Sequence, residues 1–418
     1  MTVLKTASLR GRFLYEREKM ADIRSIDELD ARGKRVLVRV DLNAPVDDEG
    51  NVTDDTRLRA ALPTISKLVG DGAKVVLASH RGRPAGEGYE EAFSLAPIAR
   101  RLQELLGRDI ALNRDLVGPA AEEAVSALEP GDVMLLENIR FDKREKKNDP
   151  AFAEALARLA DAYVNDAFGT AHRAHASTAG VAELLPAYAG YLMQKEVGTL
   201  TGMLDQPKRP FVAILGGSKV SDKIKVIDAL MDKADVLIIG GGMCFTFLLA
   251  QGHGVGTSLK EDDWVEAAAG MLRKAEETGV ALLLPVDVVV ADAFANDART
   301  ETVAADAIPD DMMGLDIGPA TAKLYADAIA GAASVFWNGP MGVFEMPSFE
   351  AGTRAVAEAV AANQAADTII GGGDSVAAVN KFDLADKMTF ISTGGGASME
   401  LVQGEALPGV EALRSTRA

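Results

Sequence analysis

Arg35-Val36-Leu37-Val38-Arg39-Val40-Asp41-Leu42-Asn43-Ala44-Pro45 is the stretch on which the fold turns. Its first six residues form an almost continuous apolar run, the pattern of a strand covered on both faces, not the alternation of a half-exposed one. The run ends in an Asp-Leu-Asn-Ala-Pro loop. The same signature recurs at 74–79, 132–136, 161–164, 211–215, 235–239, 281–286, 334–337, 367–370 and 388–392. Amphipathic segments that read as helices lie between these runs, among them 57–70, 95–106, 151–160, 220–231, 262–277 and 348–362. Strand-helix-strand order repeated in this way predicts an α/β fold of parallel sheets with right-handed crossovers. In such sheets ligands bind beyond the carboxyl ends of the strands, so the residues that close each run are the ones to inspect.

The 418 residues suffice for two or three domains. A net charge of −18 argues against a dedicated nucleic-acid binder, which needs clustered Lys and Arg. It does not exclude a local basic site for a small anion. No stretch approaches the roughly 20 apolar residues of a membrane span. The first residues carry basic groups without an apolar core, unlike a secretory signal. Cys244 is the only cysteine, so no intrachain disulfide is possible, and a reducing compartment fits. With four histidines besides, a zinc site of the usual Cys/His spacing is not available.

The two halves differ in chemistry. Before about residue 185 the strand-end loops are basic and polar: Arg39-Val-Asp41-Leu-Asn43, Thr56-Arg57, Ser79-His80-Arg81-Gly82-Arg83-Pro84, Glu137-Asn138-Ile139-Arg140-Phe141 and Gly169-Thr-Ala-His172-Arg173-Ala-His175. Any one arginine here reads equally as a solvated side chain; several at strand ends read as a cradle for a small polyanion, because guanidinium forks match phosphate and carboxylate. Asp41 and Asn43 suit a hydroxyl between the anionic ends. His80, His172 and His175 invite an acid-base or metal reading, but orienting the arginines is the favoured one. The run Lys143-Arg144-Glu145-Lys146-Lys147 reads as a solvated loop.

After about residue 210 the loops are glycine-rich: Gly216-Gly217-Ser218-Lys219, Gly240-Gly241-Gly242, Gly371-Gly372-Gly373-Asp374-Ser375 and Gly394-Gly395-Gly396-Ala397. Each follows a strand and opens a helix, an arrangement that admits phosphate close to the backbone. None completes G-x-G-x-x-G, and the only Gly-Lys pair, Gly33-Lys34, precedes Arg35, so neither the dinucleotide fingerprint nor the P-loop is present. Together with Lys219, Lys223 and Asp374 the four clusters favour a nucleotide-phosphate site. The stretch Trp337-Asn338-Gly339-Pro340 through Glu345 reads either as turn chemistry or as a segment whose carboxylate meets ribose hydroxyls. Segment 187–205 reads as a helix joining the halves, with 206–210 as a break. Residues 1–19 are either a disordered extension or a leader to a functional start at Met20.

Taken in order, these motifs resemble the phosphoglycerate kinase family. The resemblance lies in Arg39 to Pro45, Ser79 to Pro84, Asn165 to His175, Gly216 to Ile224, Trp337 to Pro340, Gly371 to Ser375 and Ser392 to Ala397, and runs from about residue 22 to the C-terminus. Departures are mild: Ser375 replaces a common Thr, Ser218 a frequent Ala, and Arg81 an apolar residue. The family implies two Rossmann-like lobes, each a mainly parallel sheet flanked by helices, joined by an interdomain helix with a hinge. The lobes would be 20–188, to which a tail at 405–418 returns, and 189–404, with 189–205 as the joining helix. Asp41, Asn43, Arg57, His80, Arg83, Arg140 and Arg173 match the 3-phosphoglycerate or 1,3-bisphosphoglycerate site. Gly217, Ser218, Lys219, Lys223, Gly240, Gly241, Gly314, Leu315, Asn338, Pro340, Glu345, Gly372, Gly373, Asp374 and Ser375 match the ADP/ATP site, with Asp374 as the carboxylate for Mg2+. Arg57, Lys219, Gly373 and Gly396 match the groups around the phosphoryl in flight.

The implied activity is reversible phosphoryl transfer between 1,3-bisphosphoglycerate and ADP, giving 3-phosphoglycerate and ATP, in glycolysis and gluconeogenesis. It would occur in a cytoplasmic monomer without nucleic-acid or membrane partners. The attacking oxygen is already ionised, so positioning and charge neutralisation suffice without a general base. A dinucleotide-dependent oxidoreductase would need the missing fingerprint. A non-catalytic binding protein on the same scaffold would not need Arg57, Lys219 and Asp374 together.

Overall fold

The computed structural model describes residues 23–414; the reading of residues 1–19 falls outside them. The chain forms two compact units. The first runs as far as Thr199 and takes in the chain again from Glu405, while the second comprises Leu200–Gly404.

The first unit is built on β1 (Arg35–Val40), β2 (Lys74–Ala78), β3 (Ile110–Asn113), β4 (Val133–Leu136), β5 (Ala162–Asp166) and β6 (Ala187–Ala189). They form one sheet in the order β3-β4-β2-β1-β5-β6, every neighbouring pair parallel. Val36, Val38 and Val40 enter one core with Val75, Leu77, Val133, Leu135 and Val164. The alternate residues Leu37 and Arg39 are buried on the other side of β1. The Thr56–Gly70 helix covers the first face with Leu58, Ala61, Ile65 and Leu68, a stripe at helical spacing.

In the second unit β7 (Phe211–Leu215), β8 (Val236–Ile239), β9 (Ala281–Leu283), β13 (Ser334–Asn338), β14 (Asp367–Gly371) and β15 (Phe390–Ile391) form a second all-parallel sheet, in the order β15-β14-β13-β7-β8-β9. A separate antiparallel sheet, β11-β10-β12, uses β10 (Asp287–Ala291), β11 (Thr300–Ala304) and β12 (Met313–Ile317). Trp337, fully buried at the sheet centre, donates from Nε1 to the Gly339 carbonyl at 2.8 Å.

The parallel sheets match the sequence reading; three features differ. Residues 187–189 are edge strand β6, and the joining helix begins at Tyr191 and ends at Asp205. Strand β3, also at an edge, buries only Ile110 fully. The antiparallel sheet escaped the pattern because β11 is largely exposed and β12 contains Gly314 and Asp316.

The start of the Tyr191–Asp205 helix is capped by side chains distant in sequence. Tyr191 N donates to Thr64 Oγ1 at 2.9 Å, and Leu192 N and Met193 N donate to Asp166 Oδ1 at 2.8 and 3.2 Å. Near the C-terminus, Gly409 N donates to the Ala171 carbonyl at 2.8 Å, and Asn165 Nδ2 donates to the Gly409 carbonyl at 3.3 Å.

Candidate active site

Four neighbouring strands of the first sheet, β4, β2, β1 and β5, end on the same side and deliver the basic motifs to one place. The loops are tied to one another: Leu42 N donates to Ser79 Oγ at 2.9 Å and Gly82 N to Asn43 Oδ1 at 2.9 Å. Arg57, in the first turn of its helix, donates from Nη1 to Asp41 Oδ2 at 2.9 Å. Arg140 is buried and donates to the Gly82 carbonyl at 2.9 Å. Burial, with Arg39 and Arg173 nearby, pushes its pKa down to about 10. Burial and the charges of Arg39, Arg140, Arg57 and Arg173 hold the His80 imidazole well below its ordinary pKa. His175, under burial and three of the same arginines, is pushed down to about 3. Six of the expected residues are therefore brought together: Asp41, Asn43, Arg57, His80, Arg140 and Arg173. Arg83 is exposed on the loop after β2. Arg81 is turned away, donating to the carbonyls of Ala92 and Ser94.

Two residues of this cluster escaped the sequence reading. Arg39, quoted as part of a motif but given no role, is 1% exposed and donates from Nε to Ser177 Oγ at 3.0 Å. Glu145, read as part of a solvated loop, is fully buried, and its carboxylate accepts from Ser177 Oγ at 2.6 Å and Ser177 N at 2.9 Å. Its neighbours Lys146 and Lys147 are exposed as expected. A lone acid that alternates with bases in a turn gives no sequence signal of its direction.

In the second unit the glycine loops after β7, β13, β14 and β15 surround a cavity of about 350 Å3. Gly216, Gly217, Ser218, Lys219, Lys223, Asn338, Gly372, Gly373, Asp374, Ser375 and Gly396 line it. The Gly373–Lys381 and Gly396–Val402 helices begin at its wall, so unpaired amides at their starts favour an anion there. Lys223 donates to Asn338 Oδ1, and burial lowers its pKa. Ser375 is buried and accepts from Gly339 N at 2.5 Å, which fixes the turn after β13.

A second cavity, of about 480 Å3, shares Gly217, Ser218 and Asp374 with the first and is largely apolar. Phe245, Leu259, Phe294, Gly314, Leu315, Pro340, Val343 and Glu345 line it. Phe294 is 61% exposed and Leu259 50%, an unusual display of large apolar side chains that offers flat contact to a ring. Gly241 lies in this wall at φ +67°, and a Cβ there would stand 2.5 Å from Gly217 N and O. Gly240 packs behind the wall against Met341. Asp316, absent from the sequence reading, also lines the cavity; it accepts from Gly352 N at 2.7 Å, and burial pushes its pKa up to about 7. A polar, amide-rich chamber joined to an apolar one is the shape of a site for a phosphate tail bearing a flat ring.

Among the described residues no group of three or more His, Cys, Asp or Glu side chains forms a metal site, and no helix is long and apolar enough to cross a membrane. A family model described as phosphoglycerate kinase matches residues 26–405. The phosphoglycerate kinase of Synechococcus elongatus is 59% identical over 392 residues, which are 93% of this chain and 97% of that protein. The cytosolic phosphoglycerate kinase of Nicotiana tabacum is 57% identical over the same length and shares. Among solved structures, the phosphoglycerate kinase from Coxiella burnetii superposes with a TM-score of 0.86 at 45% identity, covering 94% of this chain and 98% of its own. The match spans both glycine-walled cavities and the arginine cluster, and the chain belongs to the phosphoglycerate kinase family.

Proposed function

We propose that the two clusters hold the two substrates of the family reaction, 1,3-bisphosphoglycerate + ADP = 3-phosphoglycerate + ATP. The basic cluster of the first unit takes the phosphoglycerate, and the paired cavities of the second take the nucleotide. The observation that carries this reading is the division of chemistry between the sheets. One sheet ends in arginines around a buried Asp41; the other ends in glycine turns that open onto an apolar chamber.

In this reading Arg140, Arg173, Arg83 and His80 bind the phosphate and carboxylate of the phosphoglycerate, while Asp41 and Asn43 meet its hydroxyl. Arg57, 38% exposed in its first-turn position, leaves Asp41 for the transferring group. Lys219, with the amides at Gly373 and Gly396, faces the same group from the nucleotide side. Glu345 holds the ribose; Gly241, Gly314, Leu315 and Pro340 flank the base; Gly217, Ser218, Lys223, Asn338, Gly372 and Ser375 shape the phosphate chamber, and Gly240 supports its wall. Bending at the Tyr191–Asp205 helix closes the lobes, aligns the anionic oxygens and excludes water from the acyl phosphate.

Asp374 and Asp222 are the carboxylates in the phosphate cavity. That suits Mg2+ arriving with the nucleotide, since this ion takes one or two carboxylates and fills its shell with phosphate oxygens and water. When bound, it offsets phosphate charge. Each substrate finds its residues within one chain, so a monomer suffices for the reaction. The single buried cysteine and the cytosolic name of the tobacco relative favour the cytoplasm.

A coupled assay with 3-phosphoglycerate and Mg-ATP tests the reading, joined to calorimetry with 3-phosphoglycerate alone. Turnover is expected, as is binding that Arg140→Ala or Arg173→Ala weakens. Turnover with unchanged binding in both variants would place the phosphoglycerate elsewhere.

A further inference from the structure

Glu145, Ser177, Arg39 and His80 form one unbroken chain of contacts beneath the basic cluster. Burial raises the pKa of the Glu145 carboxyl, while Arg39, the two hydrogen bonds from Ser177 and Arg140 act in the opposite sense; as a carboxylate it is acceptor-only, and the Ser177 hydroxyl, 2.6 Å away, spends its single proton on it. The lone pairs of Ser177 Oγ are then left to accept from Arg39 Nε at 3.0 Å. Arg39 has no acceptor atoms, so its Nη2, 3.1 Å from His80 Nδ1, must be the donor. His80 Nδ1 is thus unprotonated, and a neutral imidazole then carries its proton on Nε2. Ser177 N, donating to the other carboxylate oxygen at 2.9 Å, and Tyr163 Oη, donating to the Ser177 carbonyl at 2.7 Å, lock the serine in place. Glu145, Ser177 and His80 are each at most 4% exposed and Arg39 is 1% exposed, so water has little access to scramble these roles.

We propose that Glu145 is a positioning residue for the phosphoglycerate cluster: through Ser177 it sets the direction of a buried hydrogen-bond chain that orients Arg39 and leaves His80 as an Nε2–H donor. This rests on reading the cluster as the phosphoglycerate site. The charged groups around Glu145 are Arg39 from β1 and Arg140 from the loop after β4; the imidazole of His175, neutral at pH 7, has its Nδ1 3.7 Å from Oε1.

NMR of the full chain, labelled with 15N in His and Arg and free of substrate, reads the chain directly. The parent is expected to show neutral His80 with its proton on Nε2 at pH 7, and a slowly exchanging Arg39 Nε–H. Glu145→Gln sets an amide donor against Ser177, and Ser177→Ala removes the link. Each should speed Arg39 Nε–H exchange by about tenfold or more, as local protection is lost. Each should also raise KM for 3-phosphoglycerate about tenfold, equivalent to about 1.4 kcal/mol, with KM for ATP within about twofold. The double variant should be no worse than Ser177→Ala, because Glu145 acts through the serine. A parent His80 protonated on Nδ1, or unchanged Arg39 exchange in the folded variants, overturns the proposal. If Glu145→Gln does not fold, Ser177→Ala decides alone. A parent that fails to bind 3-phosphoglycerate sinks the site reading instead, and the NMR result on the chain stands apart from it.

Discussion

Asp166 offers a stability test whose slope depends on one carboxyl group. It ends β5, is fully buried, and accepts from Leu192 N and Met193 N through Oδ1, while Oδ2 has no hydrogen-bond partner. Burial pushes its pKa from 3.8 up to about 7, and hydrogen bonds from Thr64, Met193 and Leu192 only partly oppose the rise. Below pH 3.8 folded and unfolded chains both hold the proton, and the group contributes nothing. Between 3.8 and about 7 the unfolded chain has lost it and the folded chain keeps it, so stability falls as pH rises. At about 1.36 kcal/mol per pH unit, the full cost is about 4 kcal/mol, and the part lying between pH 5 and pH 8 is about 3 kcal/mol. Asp166→Asn has no proton to lose. Its stability relative to the parent should therefore climb by about 3 kcal/mol from pH 5 to pH 8. Any cost of the amide itself moves that curve up or down without changing its slope. Both tryptophans, Trp264 and Trp337, belong to the second unit, so fluorescence does not follow the event. Amide exchange of β1 residues such as Val36 and Leu37 reports on the first unit by itself, which also avoids assuming that two units unfold together. A variant-minus-parent difference that stays flat across this range would refute the assignment of a raised pKa to Asp166.

Three further outcomes are expected. Arg57→Ala should lose on the order of 10³–10⁵ in kcat, with nucleotide affinity within a few-fold and only partial recovery in Arg57→Lys, because a point charge lacks the guanidinium fork; a normal kcat with a raised KM for 3-phosphoglycerate would make Arg57 a binding group only. Asp374→Ala should shift the Mg2+ dependence of turnover to higher concentration, and an unchanged dependence would remove Asp374 from the cation's surroundings. Gly241→Ala should raise KM for ATP roughly fivefold or more, since the positive φ and the clash with Gly217 cost about 1–3 kcal/mol; calorimetry should find 3-phosphoglycerate binding unaltered, and an equal loss there would mean global damage.

The two parallel sheets were legible because each core strand is an uninterrupted apolar run closed by a chemically marked loop. Val36 to Val40 and Phe211 to Leu215 are examples in which local pattern and burial agree. The residues that gather at the two sheet ends were legible, because Arg140 and Lys219 sit beside those strand ends. The residues that support them were not. Glu145 is buried only because Ser177, 32 residues on, comes to it, and Arg39 finds the same serine 138 residues away. Asp316 likewise answers to Gly352, 36 residues further on. Such partnerships come from the closing of loops over a sheet end, and no periodicity within a window of 15 residues records them. The antiparallel sheet failed to show for a different reason: β11 is mostly exposed, so it carries no hydrophobic signal.

Burial, and after it the charge of the arginine cluster, explains why the histidines there take no proton. An acidic chain has gathered Arg39, Arg57, Arg140 and Arg173 around His80, and burial together with repulsion from Arg39 and Arg173 lowers the pKa of Arg140. With His175 pushed down to about 3 and His80 well below its ordinary value, both imidazoles are neutral at pH 7. A neutral imidazole held by Arg39 orients and donates, and it is a poor general base because the same arginines oppose its protonation. A reaction whose acceptor oxygen must first be deprotonated would be badly served by such a site. Transfer between an acyl phosphate and a nucleotide moves a phosphoryl group from one oxygen to another that is anionic already, so what it needs is concentrated positive charge that stays charged. The strand ends supply that charge at a cost to the empty protein, and a polyanionic ligand removes the repulsion when it binds.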